Sequence, residues 1–177
     1  ISILAGGDKV AGMVVFQNGR PLKSAYRKFK IKSFEGQDDY AAMREVIERR
    51  LEEYRKNRES GEGFGRLPDL ILLDGGRGHV SAVRPILEER GLSIPLFGMV
   101  KDDRHRTRAI ACDGGEIAIN SSRSAFTLVS TIQDEVHRFA IGYHRQMRRK
   151  STISSTLTQI PGVGPARARA QIGRAHV

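Results

Sequence analysis

An α/β fold, with a largely parallel sheet buried between helices, is the class this sequence predicts, and three observations predict it. Leu70 to Leu73 and Ile94 to Val100 are short apolar runs, long enough for strands buried on both faces. About His79 to Arg90, between them, has helix length, so the unit reads as a parallel strand-helix-strand crossover, which should be right-handed. Asp38 to Lys56 and Ser124 to Met147 repeat apolar residues at helical spacing. With 177 residues the chain suffices for one good core and a small appendix.

The elements follow in order. Residues 1 to 9 begin inside an apolar segment, as a strand that has been cut into would. Val10 to Gln17 and Ala25 to Lys32 read as two strands joined through Asn18-Gly19-Arg20-Pro21, because Asn-Gly favours the positive backbone angles of a tight hairpin. The lysines of the second strand suit a half-solvated face. Asp38-Asp39 opens the first long helix, whose stripe is Met43, Val46, Ile47, Leu51 and Tyr54. Asn57 to Arg66 reads as an exposed loop. After the buried strand, Gly75-Gly76 leads into the crossover helix, in which Pro85 is a blemish and which Gly91 ends. Ala109 to Ala111 and Glu116 to Ile119 flank Asp113-Gly114-Gly115 as a small hairpin carrying Cys112. The last long helix carries Leu128, Val129, Ile132, Val136, Phe139, Ala140 and Tyr143 as its stripe, and a polar Ser/Thr linker follows from residue 151. The organisation expected is a domain over 1–150 and a DNA-binding segment over 151–177.

Composition limits the function classes. There is no apolar run of membrane length and no signal-peptide pattern, which suggests a soluble cytoplasmic protein. The single Cys112 rules out an internal disulfide and a thiolate zinc site. Net charge is +10, and from Val136 to Val177 there is no acidic residue, while Arg138, Arg145, Arg148, Arg149, Lys150, Arg167, Arg169 and Arg174 are all basic. That asymmetry is the footprint of a nucleic-acid binder, unless it is only a solvated tail.

Asp74 stands at the carboxyl end of the buried strand, where open α/β sheets bind ligands and where a carboxylate is well placed to hold a metal. Capping the next helix is the plainer role. The charged loop Lys101 to Arg108 follows the second buried strand and so lies on the same side of the sheet; it could touch phosphates through Lys101, Arg104 and Arg106, or be a salt-bridged turn. His137 lies beside the apolar stripe of its helix, where a lone histidine is commonly structural. Ile160-Pro-Gly-Val-Gly-Pro-Ala166 has the form of a helix-hairpin-helix, in which backbone N–H groups near Gly162 and Gly164 would grip a DNA phosphate without reading bases.

Seven stretches together resemble the C-terminal half of the UvrC family, the nuclease subunits of bacterial nucleotide excision repair. They are Val10 to Phe16, Tyr26-Arg-Lys-Phe29, Asp38 to Glu45, Asp69 to Gly76, Lys101 to Arg108, Asp134-Glu-Val-His-Arg-Phe-Ala140 and Ile160-Pro-Gly-Val-Gly164. The resemblance implies a ribonuclease H-like mixed sheet flanked by helices, followed by a partial helix-hairpin-helix. It implies a metal-dependent endonuclease making the 5′ incision beside a lesion, with Mg²⁺ or Mn²⁺ as cofactor. The catalytic set it carries over is Asp39, Asp74 and His137, with Asp38 competing with its neighbour, and Asp74 and His137 as metal ligands. Arg138, Arg145 and Arg148 join the loop and hairpin as DNA contacts. The implied partners are lesion-containing double-stranded DNA and, in the full-length protein, the damage-loading helicase subunit UvrB. Ile1-Ser2 matches the end of an Asp-Ile-Ser motif, so that first-strand Asp would stand immediately before Ile1; without it, poor metal binding and little nicking are expected. The other expectation from another class is a non-catalytic DNA-binding module, with the carboxylates as caps. Gln171 to Val177 does not resemble the second hairpin of the family.

Overall fold

The computed structural model describes residues 1–4, 9–32 and 38–159, together with Pro161, Gly164 and Ala166. Three strands near the start, β1 (Ser2–Leu4), β2 (Val10–Met13) and β5 (Arg27–Lys30), form an antiparallel sheet in the order β1-β2-β5. Between β2 and β5, β3 (Phe16–Gln17) and β4 (Arg20–Pro21) pair across Asn18 and Gly19, both at positive φ, as the Asn-Gly signal predicts. The second sheet runs β6 (Ile71–Asp74), β7 (Leu96–Lys101), β8 (Thr107–Cys112) and β9 (Gly115–Ala118), with β6 and β7 parallel and the rest antiparallel.

Ile1 joins the two sheets. Its nitrogen donates to the Leu72 carbonyl at 2.9 Å, and the Asp74 N–H donates to the Ile1 carbonyl at 2.8 Å, which is the bonding of a parallel bridge. The strands thus run β5-β2-β1-β6-β7-β8-β9, a mixed sheet with Asp74 near its middle.

Helices α1 (Asp39–Asn57) and α2 (Arg77–Glu89) cover one face, and α3 (Arg123–Thr158) lies against the other. The two-residue period of the strands sorts the side chains. Ala11, Ile71 and Leu73 join the core with Met43, Val46 and Ile47 of α1 and Val80, Val83 and Leu87 of α2, whereas Gly12 and Asp74 face α3. A Cβ on Gly12 would meet Phe139 Cδ1 at 2.9 Å and the Ala140 nitrogen at 3.1 Å, so the missing side chain lets α3 lie close to β2.

Several boundaries differ from the sequence reading. Leu70 is outside β6 and 46% exposed, and Leu72 is half-buried, so this strand is not buried throughout its length. Leu128 is exposed; Gln133, Val136 and Ala140 are the buried positions of α3. The stripe shifts because α3 meets the sheet only past its first turns. Residues 151–158, read as linker, continue α3, since Thr152 and Thr156 bond back to the carbonyls of Arg148 and Thr152 at 3.1 and 3.0 Å. Hydroxyls that suggest a linker by composition are satisfied inside a helix. Most of the Ile160–Ala166 turn, Gly162 included, lies outside the described residues.

Candidate nuclease site

β6 carries Asp74 to the carboxyl end of the sheet, and a turn with no room for a side chain at Gly75 follows. A Cβ on Gly75 would collide with the His79 ring, and one on Gly98 of β7 would strike the Gly75 carbonyl oxygen. Gly76 is the N-cap of α2 and has nothing within 4 Å of where a Cβ would be. The Asp74 carboxylate accepts no bond from the α2 N-terminus among the described residues; its donors come from β1, β7 and α3. Asp74 is therefore not the cap of α2.

Four polar groups surround the Asp74 carboxylate, whose side chain is 10% exposed. Gln133 Nε2 of α3 donates to Oδ1 at 3.1 Å, Ser2 Oγ of β1 donates to Oδ2 at 2.7 Å, and Lys101 Nζ of β7 is 3.2 Å from Oδ1. His137 Nδ1, also from α3, is 3.9 Å from Oδ2. Burial pushes the carboxyl toward its neutral form, but the bonds from Gln133 and Ser2 and the Lys101 charge outweigh it and hold its pKa below the ordinary range. Asp74 is thus an anion at neutral pH.

His137 Nδ1 is buried and has no hydrogen-bond partner. Its separation from Asp74 is too long for a hydrogen bond, yet within twice the ~2.1 Å at which nitrogen and oxygen bind a divalent cation. An orphaned nitrogen facing a carboxylate oxygen is a donor pair that fits a small cation. Among the described residues no cluster of three or more His, Cys, Asp or Glu is arranged around a metal position. Two protein ligands completed by water and phosphate oxygens is a set magnesium accepts, and the imidazole suits manganese. The pair opens into a cleft of about 320 Å³ lined by Ile3, Leu4, Gly76, Met99, Lys101 and His137.

The adjacent aspartates of α1 separate cleanly. Asp38 is the N-cap, its Oδ1 accepting the Ala41 N–H at 3.0 Å. Asp39 projects with its side chain 49% exposed and binds the buried Lys9 ammonium at 3.1 Å. It has no direct bond to Asp74 or His137 among the described residues; burial lowers the pKa of His79, and the charges of both Asp39 and Asp74 oppose that shift. The ring of His79 meets the edge of Tyr40 at 4.8 Å.

The basic residues fall into three kinds. Lys101 lies in the cleft. In the β7–β8 turn, Asp102 Oδ1 accepts the N–H groups of Arg104 and Arg106 at 2.9 Å each, and Arg106 also pairs with Asp102, so the turn is salt-bridged and still exposes Arg104. Arg138 is held by Glu135 at 2.7 and 2.9 Å, and Glu135 also accepts the Tyr26 hydroxyl at 3.0 Å. Arg145 and Arg148 are exposed on α3 and have no ion pair among the described residues. Gly164 is exposed, and no Cβ clash is found there.

Ser2, Gln133 and His79 were missed by sequence reasoning. Gln133 had a usable signal, since it precedes His137 by four residues and shares its helix face. Ser2 and His79 had none, because a Ser in a strand and a His after a Gly turn are common on any surface.

Comparison with known proteins identifies the family of the chain. The sequence family described as UvrC RNAse H endonuclease domain matches residues 1–141. UvrABC system protein C of Lachnospira eligens is 49% identical over 173 residues, covering 96% of this chain and 28% of the relative. The protein of the same name from Thermoanaerobacter sp. (strain X514) is 50% identical over 179 residues, covering 96% and 29%. The chain therefore spans less than a third of the length of these relatives. With two thirds or more of its residues inside the match, and with the mixed sheet and central carboxylate in place, the chain belongs to the UvrC ribonuclease H endonuclease domain family.

Proposed function

We propose that this chain is the part of a nucleotide excision repair protein that hydrolyses DNA, a metal-dependent endonuclease making the incision on the 5′ side of a lesion. The observation that carries the proposal is the convergence of an ionised Asp74 and the unpartnered Nδ1 of His137 at one cleft. A bound Mg²⁺ or Mn²⁺ would activate water and offset charge on the pentavalent phosphorus. Asp74 and His137 would hold it. Asp39, directed to the same end of the sheet by Asp38 capping, would serve from the rim. A carboxylate placed directly before Ile1 would share the β1 face of Ser2, by the two-residue period of a strand, and so would look toward Asp74.

The residues present support the rest of the reaction. The water oxygen bonds to phosphorus, the bridging P–O bond breaks, and one proton must leave the water while another reaches the departing oxygen. With Nδ1 of His137 given to the cation, both protons would be exchanged with solvent, and Lys101 supplies positive charge beside the phosphate position. Lys101, Arg104, Arg145 and Arg148 offer cations to the DNA backbone, as would the hairpin around Gly162 and Gly164. Arg106 and Arg138, and Lys101 while it pairs with Asp74, contribute less, because acids already hold them. Lesion-containing duplex DNA is the expected substrate. The relatives carry the name UvrABC system protein C, and a damage-loading UvrB subunit is the expected partner of the whole protein. Among the described residues no helix is long and apolar enough to cross a membrane.

The test is Mn²⁺-dependent nicking of lesion-bearing duplex by the chain preceded by one Asp, with Asp74→Asn and His137→Ala compared. Each substitution should lower the nicking rate by about 10² or more while DNA affinity stays within twofold, on the usual size of acid-base and metal-ligand effects. DNA binding with no nicking under any metal would favour a non-catalytic binding module instead.

A further inference from the structure

Gln133 is 1% exposed, and a buried amide must find partners for both its hydrogens and its oxygen. It finds three. Nε2 donates to Asp74 Oδ1 at 3.1 Å and to the Met99 carbonyl at 3.1 Å, and Oε1 accepts the hydroxyl of buried Thr107. The amide has one satisfactory orientation, because a flip would set its oxygen against two acceptors and leave its NH₂ facing the Thr107 hydroxyl. Gln133 therefore presents a fixed donor to Asp74.

Thr107 is the first residue of β8 after the basic turn, and it pairs with Lys101 where the β7–β8 register shifts. Both stems of that turn end on Asp74: Lys101 directly at 3.2 Å, and Thr107 through Gln133. We propose that Gln133 is a positioning residue that, locked by Thr107, fixes the rotation of the Asp74 carboxylate and couples it to the basic turn over residues 102–106. The inference rests on the reading of Asp74 as a cation ligand. It gives Thr107, which touches neither Asp74 nor the cleft, a role in metal affinity.

The experiment, in the chain preceded by one Asp, compares Thr107→Val, which keeps shape and removes the hydroxyl, with Thr107→Ser, which restores it, and with Gln133→Leu. Mn²⁺ dissociation constants are read from the free-ion EPR signal, and nicking is followed against Mn²⁺ concentration. Supports of a metal ligand typically cost 10- to 100-fold in affinity when removed, so Thr107→Val should weaken Mn²⁺ binding about tenfold and Gln133→Leu more. Thr107→Ser should match wild type, and the maximal rate at saturating Mn²⁺ should fall less than the affinity does. Equal Mn²⁺ affinity in Thr107→Val and Thr107→Ser would overturn the proposal. A metal-free readout is hydrogen exchange of the Gln133 side-chain amide by NMR, expected to be slow in wild type and at least about tenfold faster in Asp74→Ala and Thr107→Val. If the chain preceded by one Asp neither binds Mn²⁺ nor nicks, the nuclease reading fails, and the amide still decides: protection upholds the positioning, and exchange at the rate of a solvent-exposed glutamine overturns it.

Discussion

Gly98→Ala should damage both stability and chemistry through one contact. The new methyl carbon would fall on the Gly75 carbonyl oxygen, closer than any methyl approaches an oxygen, and would lie 3.1 Å from both the Gly75 carbonyl carbon and the Gly76 oxygen. All three atoms are backbone, so no side-chain rotation relieves the clash; the Asp74–Gly76 turn must move off β7. Overpacking of this kind costs roughly 1–3 kcal/mol. At about 2–4 °C per kcal/mol for a chain of this size, the melting temperature should fall by roughly 2–12 °C. Because the displaced turn begins at Asp74, a shift approaching 1 Å could cost on the order of 10² in rate. Gly76→Ser, in the same turn, meets nothing within 4 Å and places a favoured residue at an N-cap, so it should stay within about 1 kcal/mol of wild type or exceed it. Urea denaturation and Mn²⁺ nicking of both variants are the assays. A Gly98→Ala protein as stable and active as Gly76→Ser would refute the packing argument.

Three further outcomes follow from particular contacts. Asp38→Ala should cost about 1 kcal/mol by loss of the α1 cap, read by urea denaturation, whereas Asp39→Asn should impair nicking more than stability; the reverse pattern would exchange their roles. Asp74 has a folded pKa below its unfolded value, so the stability it contributes is present above about pH 4 and is lost as pH falls through the folded pKa. The stability difference between wild type and Asp74→Asn should therefore shift in favour of the variant as pH falls below about 4, and a pH-independent difference would contradict the network of bonds to that carboxylate. Replacing Arg145 and Arg148 together by Ala should flatten the dependence of log DNA affinity on log salt by roughly 1.8, and Arg138→Ala, whose charge Glu135 already holds, by clearly less than 0.9.

Much of the scaffold is legible in the sequence, for identifiable reasons. Asn18-Gly19 fixes a two-residue hairpin because few other pairs accept positive φ twice. The parallel pairing of β6 with β7 follows from a helix of fitting length between two apolar runs. Asp74 is singled out by its place at a strand end and His137 by the family resemblance, and the two side chains lie 3.9 Å apart. What sequence could not separate was cap from projecting carboxylate in Asp38-Asp39, because both residues favour a helix start and only the hydrogen bond to Ala41 decides. Two partners of Asp74 were hidden too: Ser2 and Gln133 lie far from it along the chain and meet it only through strand order and the close seat of α3 on Gly12, whereas the place of Lys101 follows from the parallel pairing of β6 with β7. The reach of α3 to Thr158 was obscured by composition, since hydroxyl-rich stretches suit linkers unless each hydroxyl bonds back along the helix.

Anomalous scattering from crystals soaked in Mn²⁺ tests the central claim most directly. A peak between Asp74 and His137, at about 2.1–2.3 Å from a carboxylate oxygen and from Nδ1, is the result expected of a shared cation. A cleft without manganese there, while Mn²⁺ supports nicking in solution, would contradict the assignment of these two side chains as its ligands.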